Sequence, residues 1–550
     1  MTRLTRRGFL STTAGAAGAG LTACTTLTAT APLYQGEVTF RHGVASGDPL
    51  TDRVILWTRV TSDAVDASVP VLWQVYEDQA LEKPVTSGVA MTSAARDYTV
   101  KVDATGLVAG QVYYYRFSVN TPEGIQHSAT GRTRTLAASG QAPVRFAVVS
   151  CSNYPFGYFN VYREIGKQAD LDAVIHLGDY IYEYGRDGYG GDVGERLGRN
   201  HIPPTEIISL ADYRTRHAQY KSDRDLQSAH AAAPWLCTWD DHESTNNSYR
   251  TGAQNHNDGE GDWTVRKQIA TQAYLEWMPV RDPAPGRARE SIYRKFDFGD
   301  IATVFCLESR LTGRSDEISW GAVLADKTPA EIPAAAFATM QAVADPARTM
   351  LGATQENWLA EGLEKSAKDK AWQVLANQVI MAKVKPPRFD QTLTDEQKAG
   401  LQGFAAQVVG FSRLQVPWNL DAWDGFPAAR ERLYAAAEKA DARLVTLTGD
   451  THTAWANTLY DDAGNTRGVE FGTTSVSSPG LGSYISNVPD LGQQFADANR
   501  EVDWFKPDGH GWMLVTLTKQ SAETEYHEVS AIDADDYTTS VVKKVSVERS

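Results

Sequence analysis

Short, almost unbroken apolar runs, each closing on a cluster of polar side chains, constrain this chain more than any other feature. Val144 to Val149, Ala173 to Leu177, Ile301 to Leu307, Trp372 to Ala376 and Arg443 to Leu447 are such runs. They are short and rich in branched apolar residues, so they are expected as strands covered on both faces. Between them lie segments with helical apolar spacing: Tyr158 to Gln168, Trp263 to Trp277, Thr354 to Lys365 and Ala428 to Lys439. In the last, Leu433, Ala436 and Ala437 share one face, with charges opposite. This alternation predicts a layered α/β body over residues 143–550.

Residues 36–138 have a different character. Val54 to Val60, Val71 to Tyr76, Tyr98 to Val102 and Tyr113 to Val119 are β-rich runs separated by Gly, Pro, Asp and Asn. A small all-β sandwich domain is expected there, with Ala137 to Pro143 as a linker. Gly185 to Pro204, rich in Gly and Arg, reads as a long surface loop near the strand ends. The length of 550 residues, with 42% hydrophobic and 22% charged, fits a soluble globular protein of more than one domain. A formal net charge of −15, with no long basic run after the leader, argues against sequence-specific nucleic-acid binding. It also means that attraction for an anionic ester must come from bound cations.

The leader, residues 1–31, is read as a signal and processing region. Thr5-Arg-Arg-Gly-Phe-Leu10 resembles a twin-arginine export signal, which implies the twin-arginine export machinery as a partner. The Ala- and Gly-rich stretch after it is too short and small-residued for a membrane span. Two processing readings stay open. Leu21-Thr-Ala-Cys24 looks like a lipoprotein box, which would anchor Cys24 at the cell surface. Ala29-Thr-Ala31 looks like an ordinary cleavage site, which would release a periplasmic or extracellular protein. Beyond the leader, Cys151, Cys237 and Cys306 are odd in number, which argues against a complete disulfide framework. Cys237 and Cys306 are expected as buried, inert thiols. Cys151 ends a strand and opens the polar Ser152-Asn153 loop, as a ligand would.

The chemistry lies in four motifs: Val148-Val-Ser-Cys-Ser-Asn153, His176-Leu-Gly-Asp-Tyr-Ile-Tyr-Glu183, Trp239-Asp-Asp-His-Glu243 and Leu447-Thr-Gly-Asp-Thr-His452. Asp179 ends a strand behind a glycine, where a carboxylate can bridge two cations. Tyr182, at i+3, shares a face with Asp179 if a helical turn begins there. As a ligand it needs a strongly acidic cation such as Fe3+; flanked by Tyr180 and Tyr184, it reads equally well as a packing aromatic. Asp240 and Asp241 would repel each other without a cation. His242 beside Asp241 is placed for proton transfer rather than ligation. A solvated turn is the bland alternative. Asp450 and His452 point to one side of an extended backbone, although a satisfied core histidine is common. Four such clusters at strand tips together indicate a metal site, and sulfur mixed with hard oxygen suggests more than one kind of metal.

The order Cys, Gly-Asp-x-x-Tyr, Asp-His-Glu, Gly-Asp-x-His resembles the calcineurin-like metallophosphoesterases, most closely their PhoD-type alkaline phosphatase branch. Val44-Ala-Ser-Gly-Asp-Pro49 with Val54-Ile-Leu-Trp-Thr-Arg59 is similar to the N-terminal domain of that branch. The resemblance implies a two-sheet sandwich with flanking helices behind a small all-β domain. It implies Fe3+ held by Cys151, Asp179, Tyr182 and His452. It implies a second site for Ca2+ or another divalent cation, completed by Asp241, Asp450 and Asn377, with Asp240 contributing there or to a further calcium. The wider superfamily often has a carboxylate or His where Cys151 stands and a His where Asp450 stands; both departures match the PhoD branch. The implied reaction is hydrolysis of phosphate mono- and diesters by a metal-bound hydroxide, with His242 protonating the leaving oxygen. Arg310 would touch phosphate or form a surface ion pair. The rivals are a phospholipase-D-like enzyme acting on phospholipid head groups and a non-catalytic cell-surface binding protein.

Overall fold

A computed structural model describes residues 30–63, 68–140, 143–399, 403–485 and 488–549. The leader motif and Cys24 lie outside them. The five apolar runs are strands, Val144–Val149, Ala173–His176, Ala302–Cys306, Trp372–Ala376 and Leu444–Thr448, and each is buried on both faces. Strand geometry sends alternate side chains to opposite sides. Val144, Phe146 and Val148 enter one apolar core while Ala147 and Val149 enter another. Val374 and Ala376 likewise face the first core, with Leu375 turned to a third. Such two-sided burial stabilises by about 1.5–3 kcal/mol for each large apolar side chain, which is why most positions in the runs are apolar on both faces.

The strands form two large sheets. The nine-stranded sheet runs Thr539–Glu548, Ser521–Val529, His510–Leu517, Val144–Val149, Ala173–His176, Trp235–Cys237, Val44–Gly47, Arg53–Arg59, Thr99–Thr105. The seven-stranded sheet runs Arg294–Phe298, Ala302–Cys306, Trp372–Ala376, Leu444–Thr448, Thr466–Gly472, Ala454–Tyr460, Val502–Lys506. Side chains of both sheets meet in one core containing Phe146, Ile175, Val374 and Val445. Helices Asn160–Gly166, Leu210–Lys221, Arg224–Ala232 and Trp263–Trp277 pack on the outer face of the first sheet through Ile165, Tyr213, Leu226 and Ala273. Gly352–Asp369 and Pro427–Ala440 cover the second through Leu359, Leu363 and Leu433. The result is a two-sheet sandwich between helical layers. The strands that lead to the motifs pair in parallel, Val149 opposite His176, Ile175 opposite Leu236 and Ala376 opposite Leu447. Within each sheet their carboxyl ends therefore share one edge, where ligands of such sheets gather.

The N-terminal region is all-β. A five-stranded sheet built from Val69–Tyr76, Pro84–Thr92, Val112–Thr121, Gly124–His127 and Gly131–Arg134 packs Val71, Val75, Tyr115 and Phe117 against Val54, Leu56 and Val100. Those last three side chains belong to strands of the nine-stranded sheet. The region therefore shares that sheet with the α/β body, joined where Gly47 pairs with Trp235. Buried Asp48 secures the seam: its carboxylate accepts from Arg294 at 2.6 and 2.7 Å and from the Arg281 backbone N–H at 2.7 Å.

Gly185 to Pro204 is not a loop throughout. It contains the helix Gly191–Leu197, closed by Gly198 in the left-handed conformation. Two glycines in seven residues mask the helical signal in sequence. Among the described residues no helix is long and apolar enough to cross a membrane.

Candidate metal centre

Each motif follows a strand. Cys151 comes after Val144–Val149, Asp179 after Ala173–His176, Asp240 and Asp241 after Trp235–Cys237, and Asp450 after Leu444–Thr448. The backbone is left-handed at Cys151 (φ 62°), Asp179 (φ 56°), Asp450 (φ 63°) and His452 (φ 58°). Non-glycine residues seldom sit there, and such strain concentrates at functional sites. The two Gly-Asp steps have a steric origin. A Cβ on Gly178 would lie 2.4 Å from the Asp240 nitrogen, and one on Gly449 2.4 Å from Ser150 Oγ. Only glycine lets neighbouring strand ends approach so closely.

Three groups of potential ligand atoms result, each with all its atoms within 4.8 Å of one another: Cys151, Asp179 and His452; Asp179, Asp241 and His242; Asp240, Asp241 and Asp450. Asp179 and Asp241 each belong to two groups, so the three form a chain. Tyr182 Oη donates to Asp179 Oδ2 at 3.1 Å and lies 3.3 Å from His452 Nε2 and 2.8 Å from Ser478 Oγ. It arrives there without a helical turn, since residues 179–184 are irregular. Asp450 and His452 likewise sit on left-handed rather than extended backbone, and they serve different groups. His452 Nδ1 lies 3.0 Å from the Pro479 carbonyl, which only accepts, so Nδ1 carries the proton and Nε2 keeps its lone pair.

Two glutamates that sequence reasoning left without a role organise the site. Glu243 accepts backbone N–H bonds from Asp179 (3.0 Å), Tyr180 (2.6 Å) and Asp240 (2.8 Å), joining two strand ends. Glu183 accepts from His242 Nδ1 at 2.6 Å, and also from Asn246 N–H and Asn255 Nδ2. Their presence inside the motifs was the only signal; Ser478 offered none.

The electrostatics ask for positive charge. Burial pushes the Asp179 and Asp450 carboxyls well above the usual carboxylate range, and Asp240 up to about 6. Burial also raises the Cys151 thiol, helped by Asp179, and the Tyr182 phenol. At Asp241, burial opposes ionisation, but Arg310 and His242 overcome it and hold the carboxyl low. Burial lowers His452 to about 4, leaving a neutral imidazole. Asp179 Oδ1 and Asp240 Oδ2 are buried without a hydrogen-bond partner. Orphaned oxygens, neutral imidazole nitrogen and a thiol on crowded acids fit cations.

One expectation changes. Arg310 is not a surface residue: its side chain is fully buried, 2.5 Å from Asp240 and 2.7 Å from Asp421. Asn377 directly follows Trp372–Ala376, but its amide donates to Val379 O at 2.5 Å and accepts from Trp423 Nε1 at 3.3 Å. Those hydrogen bonds do not tie it to the acids. Cys237 and Cys306 are buried and free.

The acids open into a cavity of about 500 Å3, walled by Tyr184, Tyr189, Trp418, Asn419 and Tyr484. A larger, mostly apolar cavity of about 620 Å3 around Trp320 and Phe411 carries none of the candidate ligands.

The sequence model of the PhoD-like phosphatases matches residues 146–526, and that of the PhoD-like phosphatase N-terminal domain matches residues 27–137. Alkaline phosphatase D of Bacillus subtilis (strain 168) is 36% identical over 501 residues, covering 88% of this chain and 77% of that protein. A solved structure of PhoD superposes with a TM-score of 0.75 at 33% identity, covering 93% of this chain and 90% of that one. Phosphate-ester hydrolysis is the activity these likenesses support.

Proposed function

We propose, because this chain belongs to the PhoD-like phosphatase family, that it hydrolyses phosphate mono- and diesters at a mixed centre of Fe3+ and Ca2+. The observation that carries this is the chain of three ligand groups, linked through Asp179 and Asp241, beneath one cavity. Thiol, phenol, imidazole and carboxylate together at Cys151, Tyr182, His452 and Asp179 suit Fe3+, which favours the ionised forms of both thiol and phenol. The oxygen-only set Asp240, Asp241 and Asp450 suits Ca2+. When bound, the cations supply charge that neutralises the phosphoryl oxygens and acidifies the attacking water. His242 lines the cavity with Nδ1 held by Glu183, so Nε2 is the nitrogen free to protonate the departing oxygen. A cavity of about 500 Å3 would accommodate a second ester arm.

The test is metal analysis of purified protein, together with kcat/KM for bis-(p-nitrophenyl) phosphate and p-nitrophenyl phosphate at alkaline pH. Bound iron and calcium, EDTA-sensitive turnover and activity on both esters are expected. Full activity after metal stripping ends the metal reading, and activity on the monoester alone ends the diester reading. Export by the twin-arginine route, with Cys24 lipidated or the chain released, is proposed on the leader alone. Replacing Arg6 and Arg7 with Lys should retain the precursor in the cytoplasm; normal export of that variant would refute the route.

A further inference from the structure

Arg310 sits among carboxylates that belong to the oxygen-only ligand set. Nε binds Asp240 Oδ1 at 2.5 Å and Nη1 binds Asp421 Oδ2 at 2.7 Å. Nη2 is buried and has no hydrogen-bond partner, yet Asp450 Oδ1 is 3.6 Å away and Asp241 Oδ1 3.8 Å away. A guanidinium normally closes on a carboxylate at about 2.7–2.9 Å. A shift of roughly one ångström would therefore let Arg310 claim oxygens that a cation needs.

The opposite side of the guanidinium shows what prevents this. Asp421 is shared between two buried arginines: Oδ2 takes Arg310, while Oδ1 and the backbone carbonyl take Arg314 Nη2. Arg314 is fixed in turn by the Ser309 carbonyl at 3.4 Å and lies over the Phe426 ring at 4.8 Å. The Asp421 N–H donates to Asn419 Oδ1 at 2.9 Å, so its backbone is pinned as well. We propose that Asp421 is a positioning residue that holds Arg310 off Asp241 and Asp450 and so keeps those carboxylates open to a cation. The proposal rests on the reading that this acid set takes Ca2+.

Two substitutions then have effects of opposite sign. Without the Asp421 charge, Arg310 collapses onto Asp450 and Asp241 and competes with the cation. Removing Arg310 as well removes the competitor. A residue that merely braced its loop would give the reverse, a double variant worse than the single.

The experiment titrates EDTA-stripped full-length protein with calcium chloride and reads Tm, which reports binding without turnover. Asp421→Asn should raise the apparent calcium Kd about tenfold or more, the equivalent of losing one good charge contact. Adding Arg310→Gln to that variant should bring it back to near the parent. An unchanged calcium Kd in Asp421→Asn, or a weaker one in the double variant, overturns the proposal. If Asp421→Asn does not fold, Arg310→Gln alone decides: calcium binding at least as tight as the parent supports the restraint, and weaker binding refutes it. A parent protein whose Tm ignores calcium takes down the calcium reading and this proposal together. A parent that responds while Asp421→Asn responds identically takes down this proposal alone.

Discussion

At the residue scale, the proton on His242 is governed by its neighbours. Burial alone would strip it, but Asp241, Glu183 and Asp179 overcome burial and hold the imidazole pKa well above its ordinary value. A raised folded pKa means that the charged form and its stabilisation are present below the unfolded value of about 6.5 and are lost as pH rises through the folded value. Glu183→Gln removes one of these carboxylates, so the alkaline limb of the kcat–pH profile should move to lower pH. His242→Ala should lower turnover by about two to four orders of magnitude, and more for alkyl than for p-nitrophenyl esters. An unmoved alkaline limb, or equal loss for both leaving groups, would contradict the general-acid role. The ligand types at 151, 179, 241, 450 and 452 were legible because their chemistry is unusual at the end of an apolar run. The burial of Arg310 was not, because a charged letter carries no sign of its partners, and one of them, Asp421, comes 111 residues later.

At the scale of elements, the strands carry the motifs and Glu243 ties their ends together. Its carboxylate takes three backbone N–H groups from two different strand-end loops. Burial raises the Glu243 carboxyl to about 7, so above that pH it is a charged acceptor, whose hydrogen bonds are worth about 1.5–3 kcal/mol each. Glu243→Gln removes the charge and turns an N–H donor toward at least one of those N–H groups, so a loss of about 3 kcal/mol is expected in urea denaturation at pH 8, with reduced metal content. Unchanged stability and metal content would show that the strand ends hold their positions without it. The strands were readable from period and burial, and Val144–Val149 and Trp372–Ala376 have the expected limits. The turns beyond them were not. Neither the irregular path to Tyr182 nor the left-handed residues around Asp450 follow from propensity, because tertiary approach of neighbouring loops imposes them.

At the scale of the whole molecule, crowded acids make metal loading a matter of pH. Asp179, Asp450 and Asp240 have folded pKa values above those of an unfolded chain. In the stripped protein their protonation stabilises the fold at low pH, and that stabilisation drains away as pH rises from about 4 through 6 and beyond. On the proposed reading, bound cations would replace the missing protons. The Tm increment given by cations should therefore be larger at pH 8 than at pH 6, compared on one preparation with and without EDTA; an increment independent of pH would contradict it. The sequence divides plainly into an all-β region and an α/β body, yet no local pattern announces that they share a sheet. That union depends on Gly47 meeting Trp235 and on Asp48 reaching Arg294, nearly 250 positions away. The two stretches that separate family patterns recognise are thus one mechanical piece. Chimeras that exchange the front segment between relatives at the linker would cut through a hydrogen-bonded sheet and a buried ion pair. Only donors that keep both halves of that seam should yield folded protein, so the pair would be inherited together rather than shuffled as parts.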